Sequence, residues 1–462
     1  MGSDPNRREH AIVVGAGLAG LAAAYELARM GHGVTVLEAR GRPGGRVHTL
    51  RGFDGGLHVE AGAVFVPGHH DLTVGYAREL GVALVPAAGA ARGAGQRCFV
   101  RGRSVRLRDG RPTRWPMQLA AGEQGLTPGA LRARYLEPVL DEIGDPAHPA
   151  WPGEAALRYD AVSLAELLRS RGASAEAVRI IRLGYLDEWG DGVDRCSALS
   201  LLRDLAQQRG GAEVFRVEGG TDLLPRAFAA RLGGRIRYGA AVEEIGHDGR
   251  GVRVGFRRGG RREAVTGDHL VCALPFPVLR SIRVSPPFSA GKRRAILGLR
   301  TTSVTRVYLQ VRARCWPAGE AAVPTDLPVM HLADATLGQP GPRAVLEAFV
   351  TGPGARRLAA MAPDARVAFA REQAARVHPG LARAFERGAS YVWDADPWAR
   401  GDYAWFAPGE LRELGPHLAR PEGRVHFAGD HTSPLPGWMQ GALASGRRAA
   451  DAVDAAAKGV DG

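Results

Sequence analysis

Apolar residues at 11–14 form a continuous run of small and β-branched side chains, the pattern of a strand buried on both faces. A turn holding Gly15, Gly17 and Gly20 follows. Leu21, Tyr25, Leu27 and Ala28 then recur at helical spacing, and residues 34–37 repeat the buried-strand pattern up to Glu38. Strand, helix and strand thus fit within about 30 residues. Residues 57–66 begin with strand-like alternation and pass through Gly62. From 86 to 205 the alternation is lost and the chain reads as helical and Arg-rich, with Pro and Gly punctuation at Pro112, Gly122, Pro128, Gly144, Pro149 and Pro152. Within it, Ser163 and Glu166 predict a capping box opening a helix that runs to Ser170. Strands return over 235–238, 241–245 and 269–274, with a hairpin over 252–265. Beyond them the pattern predicts strands at 304–311 and 344–350, a helix at 363–378, a strand ending at Trp393 and a last helix ending near Val453.

The glycines of the first turn have distinct tasks. Gly15 permits the tight turn, Gly17 lets backbone approach a pyrophosphate, and Gly20 lets helix pack on strand. The helix opens at Leu18 and Ala19 with unpaired N–H groups and the positive end of its dipole, which favours a diphosphate. Glu38 stands where its carboxylate accepts from ribose hydroxyls. A glycine turn alone is weak evidence, but all parts fall in register here, so the stretch predicts a dinucleotide site.

At 462 residues the chain is long for one core, so two domains are expected. The formal charge of +13 invites a nucleic-acid reading, yet Lys292 and Lys458 are the only lysines and arginine is scattered throughout. The basic cluster at 257–262 reads as a hairpin turn. No nucleic-acid partner is therefore expected. Cys98, Cys196, Cys272 and Cys315 form no CxxC pair, so neither a metal site nor a disulfide framework is indicated. No stretch reaches 18 apolar residues, which predicts no membrane span and a cytoplasmic protein.

Residues 38–46, EARGRPGGR, resemble the EAxxRxGGR segment of the flavin amine oxidase superfamily, in a pattern nearest its monoamine oxidase and L-amino-acid oxidase branch. Three further stretches carry the resemblance: Glu60–Ala63 (ExGA), the FAGD run ending at Gly429 and Asp430, and the GWMQGA run holding Trp438 and Met439. It implies FAD rather than NAD(P), with Glu38, Ala39, Arg40, Gly44, Gly45, Arg46, Gly62, Ala63, Val242, Trp393, Gly429, Asp430, Trp438 and Met439 toward the cofactor. The implied fold is α/β. A discontinuous Rossmann-like FAD-binding domain (11–85, 210–285, 405–455) is interleaved with an α+β substrate-binding domain (86–209, 286–404), with tails at 1–10 and 456–462. Tyr403 and Trp438 fall at the family's aromatic cage. Asp402 replaces the cysteine that links FAD in some members, which implies a cofactor held without a covalent bond.

Two departures from the family pattern stand out. Phe65 occupies the position where L-amino-acid oxidases place an arginine for the substrate carboxylate, and a phenyl ring cannot pair with a carboxylate. Either another arginine supplies the charge, or the substrate has no α-carboxylate, or Phe65 is only core packing. Arg306, counted back from Trp316, falls at the family's lysine near the flavin and retains a permanent charge. Tyr185, Trp189 and Arg182 either line a pocket or pack on a helix face, and the helix-face packing is the expectation. The implied reaction removes hydride from the carbon beside an amine nitrogen, giving an imine while O2 becomes H2O2. A small amine or amino acid is the expected substrate, and a homodimer is compatible. The alternatives are a C–C dehydrogenase of the desaturase type and a flavin-binding protein without turnover.

Overall fold

The opening unit forms where the apolar pattern places it: strand β1 (His10–Val14), helix α1 (Leu18–Arg29) and strand β2 (Gly33–Glu38). In this computed structural model, which describes residues 8–87, 97–107, 111–148, 151–209, 211 and 213–458, β1 is the middle of a five-stranded sheet. Its order is Ile236–Tyr238, β2, β1, His269–Cys272, Val425–Phe427, and every pairing is parallel. Parallel strands covered on both faces bury consecutive side chains, which is why 11–14 and 34–37 read as unbroken apolar runs. Helix α1 lies against the last helix, Met439–Ala457. There a Cβ on Gly446 would stand 2.2 Å from the Ala19 carbonyl oxygen, so the helices meet backbone to backbone.

A second, antiparallel sheet runs Ala322–Pro324, His331–Asp334, Ala344–Thr351, Val304–Val311, Phe385–Val392. Val304–Val311 is buried along its whole length. Helices Pro128–Glu142, Leu164–Ser170, Ala175–Arg182 and Ala198–Gln207 form a separate layer. The capping box is present: Ser163 Oγ accepts from Glu166 N at 3.2 Å, and Glu166 returns a contact to Ser163 N at 2.8 Å. Among the described residues no helix is long and apolar enough to cross a membrane.

Several expectations are corrected. Residues 8–10 are not tail: Glu9 is buried 2.8 Å from the His269 ring, and β1 starts at His10. At the other end the helix runs through Ala457, past the expected boundary at 455. Residues 1–7, 459–462 and the turn at Pro149 lie outside the described residues. The strands read at 235–238 and 241–245 do not pair with each other. Ile236–Tyr238 joins the parallel sheet, while Ala241–His247 joins a four-stranded sheet with Val252–Arg258, Arg261–Gly267 and Arg283–Ser285. Within the stretch read as helical lies a hairpin, Arg97–Val100 with Arg103–Arg106. Its turn puts both Arg101 (φ 50°) and Gly102 (φ 75°) in the left-handed region, and arginine at the first position hides the usual hairpin signal.

Lys292 is buried where its Nζ donates to the carbonyl of Leu418 at 2.9 Å and sits 3.7 Å from the Phe427 ring centroid. Burial lowers its pKa from the ordinary 10.5 to about 7. Between those values the unfolded chain binds the extra proton, so stability rises with pH above about 7, and the cost of the buried charge is fully present below it. Urea denaturation between pH 6 and 9 is expected to show the wild type gaining stability relative to Lys292→Met as pH rises. Parallel profiles for the two proteins would refute this.

Candidate active site

The C-terminal ends of the parallel strands open into a cavity of about 650 Å³ that continues to the antiparallel sheet. Gly15, Gly17, Leu18, Ala19, Glu38, Ala39, Arg40, Gly44, Gly45, Arg46, Gly62, Ala63, Val242, Gly429, Asp430, Trp438 and Met439 line it, together with Phe65, Arg306 and Tyr403. Two residues expected there do not. A Cβ on Gly20 would lie 1.9 Å from the Gly15 carbonyl oxygen, so Gly20 serves helix-on-turn packing. Trp393 is fully buried, and its Nε1 donates to Ala61 O at 2.7 Å, which holds the segment entering Gly62 rather than facing the cavity.

At the nucleotide end the wall is bare backbone. Gly17 is the N-cap of α1, and no side chain caps that helix. A Cβ on Gly17 would meet nothing within 4 Å, while one on Gly45 would touch Gly17 Cα at 3.2 Å. Gly44 N donates to Ala16 O at 2.8 Å, so the two glycine segments cross here. Glu38 braces the turn, accepting from Ala16 N and Arg40 N at 2.8 Å each, and burial raises its pKa. A carboxylate keeps further lone pairs for a ribose. Arg46 pairs with Asp430, which also accepts from Gly437 N at 2.8 Å. Although burial works against its charge, Arg46 holds the Asp430 pKa below the usual range. The last helix begins at Met439 without a side-chain cap, so a second bare helix N-terminus faces the same cavity. Two uncapped N-termini over a glycine floor fit a flavin dinucleotide.

Aromatic and charged side chains wall the other end. Tyr403 donates its hydroxyl to Glu188 O at 2.5 Å, and its ring lies edge-on to Trp189 with centroids 5.0 Å apart. Trp438 donates Nε1 to Asp204 at 2.8 Å, with His70 against it at 5.0 Å. Asp204 also accepts from Tyr185 and, at 3.2 Å, from Gln208. Arg306 pairs with Glu347 at 2.8 Å and lies 4.5 Å from the Phe349 ring centroid. Burial opposes its charge, but Glu347 keeps it protonated. His331 pairs with Glu188 at 3.1 Å, which raises its pKa against the effect of burial.

Phe65 is not core packing: it is 43% exposed on the cavity wall. Tyr185 and Trp189 also line the cavity, contrary to the helix-face expectation, because the helix ends at Arg182 and Gly184 (φ 75°) redirects the chain. Arg182 instead pairs with Asp187 and Asp194. Glu188, Arg216, His331, Glu347 and Phe349 were not anticipated, since no local motif surrounds them: strand pairing brings in the last four, and the helical turn Tyr185–Glu188 brings in Glu188.

A parallel sheet with a glycine turn and bare helix N-termini, opening on the same cavity as an aromatic and charged wall, defines a nucleotide-cofactor oxidoreductase. The chain belongs to the flavin-containing amine oxidoreductase family, whose model matches residues 18–454, and its cofactor is FAD. It is 31% identical to the flavin-dependent L-tryptophan oxidase RebO of Lentzea aerocolonigenes, over 96% of this chain and 97% of that protein. It is 30% identical to an L-amino-acid oxidase of Siganus canaliculatus, over 97% of this chain and 86% of that one. The fold matches cyclohexylamine oxidase from Brevibacterium oxydans IH-35A with a TM-score of 0.81 at 24% identity, covering 97% of this chain and 99% of that one.

Replacing Asp204 by alanine leaves the Trp438 and Tyr185 donors without their acceptor, while Gln208 keeps the Tyr185 hydroxyl, at a cost of about 3 kcal/mol. Chemical denaturation is expected to show that loss for Asp204→Ala and a smaller one for Asp204→Asn, whose amide oxygen still accepts from Trp438. Equal stability of all three proteins would contradict it.

Proposed function

We propose that this enzyme oxidises the carbon–nitrogen bond of a small amine or amino acid, giving an imine that water hydrolyses to a carbonyl compound and ammonia, with O2 reduced to H2O2. The observation that carries the reading is that Tyr403 and Trp438, at the family's cage positions, wall the same cavity as the bare N-termini at Gly17 and Met439. FAD bound there supplies the acceptor for a hydride from the carbon beside the nitrogen. In this reading the parallel sheet is a Rossmann-like, discontinuous FAD-binding domain, and the antiparallel sheet with the helical layer forms the substrate-binding domain. Gly17, Gly44 and Gly45 approach the diphosphate, and Glu38 and Asp430 accept from sugar and ribityl hydroxyls.

The chain's own residues act by positioning. The Asp204 acceptor fixes the Trp438 indole, while Glu188 O holds the Tyr403 hydroxyl and the edge-on Trp189 packs against its ring, so their faces guide the amine nitrogen and exclude water. Arg306, charged and paired, sets a fixed positive potential and keeps its buried Nε–H for an oxygen atom entering the cavity, since Nε has no partner among the described residues. Asp402 before Tyr403, and the absence of all four cysteines from the cavity lining, support a cofactor held without a covalent bond. A wall carrying arginines and glutamates disfavours the apolar polyene that a desaturase would take.

The purified protein is expected to be yellow and to release its flavin on acid precipitation. Anaerobic mixing with a panel of L-amino acids and amines is expected to bleach the flavin with at least one of them, and admitting air to yield peroxide. Folded protein that stays colourless with added FAD, or flavin left oxidised across the panel, would overturn the reading.

A further inference from the structure

Arg216 has no part in the mechanism above and lies in no motif. It is carried by strand Val214–Val217, where Arg216 pairs with Val85 and Phe215 with Val66. That register sets its guanidinium over the Phe65 ring, 5.1 Å from the centroid, on the cavity wall.

Four arginines line the cavity, and three are neutralised: Arg40 by Asp396, Arg46 by Asp430 and Arg306 by Glu347. Among the described residues Arg216 makes no side-chain hydrogen bond or ion pair, and its Nε is buried without an acceptor. The nearby carboxylates are engaged elsewhere, Glu347 with Arg306 and Glu60 with Thr49 and the Thr221 amide. The guanidinium is half-buried, and although the Phe65 face and the more distant carboxylates favour its charge, the buried Nε–H is left without an acceptor at a cost in free energy. Stacking on an aromatic face leaves the in-plane donors free, the geometry that grips a planar anion in bidentate fashion. Phe65 therefore supports the arginine rather than replacing one.

We propose that Arg216, stacked on Phe65, binds a carboxylate of the substrate, so that the amine oxidised is an amino acid and not a simple amine. The inference rests on the amine-oxidation reading. The segment from Gly62, which abuts Arg46, to Phe65 links the cofactor end of the cavity to this subsite, which suits a small molecule that spans both.

The test uses the holoenzyme, Arg216→Met and Arg216→Lys, each normalised to flavin content. Rapid-reaction flavin reduction is measured with L-tryptophan against tryptamine and L-leucine against 3-methylbutylamine. Benzoate, a carboxylate without an amine, is titrated separately by its perturbation of the flavin spectrum. The expected result is a roughly 100-fold fall in the acid-to-amine ratio of kcat/KM for Arg216→Met, carried mainly by KM, with partial recovery in Arg216→Lys. Benzoate affinity should fall at least roughly tenfold in Arg216→Met. An unchanged ratio, or benzoate binding indifferent to Arg216, overturns the proposal. If no candidate reduces the flavin yet benzoate binding still depends on Arg216, the carboxylate subsite stands and the amine-oxidation reading falls.

Discussion

Backbone packed directly against backbone is the constraint on which the cavity depends. Cβ atoms on Gly20, Gly62, Gly441 and Gly446 would lie 1.9, 1.6, 2.0 and 2.2 Å from the carbonyl oxygens of Gly15, Arg46, Leu435 and Ala19. No side chain fits at such distances. These contacts draw α1, the glycine pair after Arg42 and the last helix together around one space. Bare N–H groups then face inward, where the helix dipoles add a positive potential suited to a diphosphate and to a reduced ring.

The opposite wall follows a different rule. Its charged groups are matched inside the protein, Arg306 with Glu347 and His331 with Glu188, because an unpaired charge at a low-dielectric surface is expensive. Its aromatic rings are tied at their polar edges, Tyr403 to a backbone carbonyl and Trp438 to the buried Asp204. Prior fixation means that little ordering remains to be done when substrate enters. Arg216 is the departure from this matching among the cavity arginines.

Much of this was legible in the chain. The β-α-β unit, the box of Ser163 and Glu166 and strand 304–311 follow from local period and capping chemistry, and they form within a residue or two of the expected bounds. Of the residues lining that end of the cavity, the glycines of the first turn were legible for a related reason, since only a close approach requires them, while Asp430 and Met439 came from the family resemblance. Trp393 shows the limit, since its ring faces Ala61 and not the cavity.

Local order in the sequence by itself determined the glycine turn and the β-α-β unit around it, because each is a property of neighbouring residues, whereas positions 403 and 438 were picked out only through the family resemblance. Tertiary structure alone decided that Arg216 meets Phe65, that Glu188 meets His331, and that residues 236–238 and 241–247 enter different sheets. Strand partners and registers, and for Glu188 the docking of the turn Tyr185–Glu188 against a strand, set those contacts, and hydrogen bonding between strands follows the burial of faces across the whole fold, which no local period encodes.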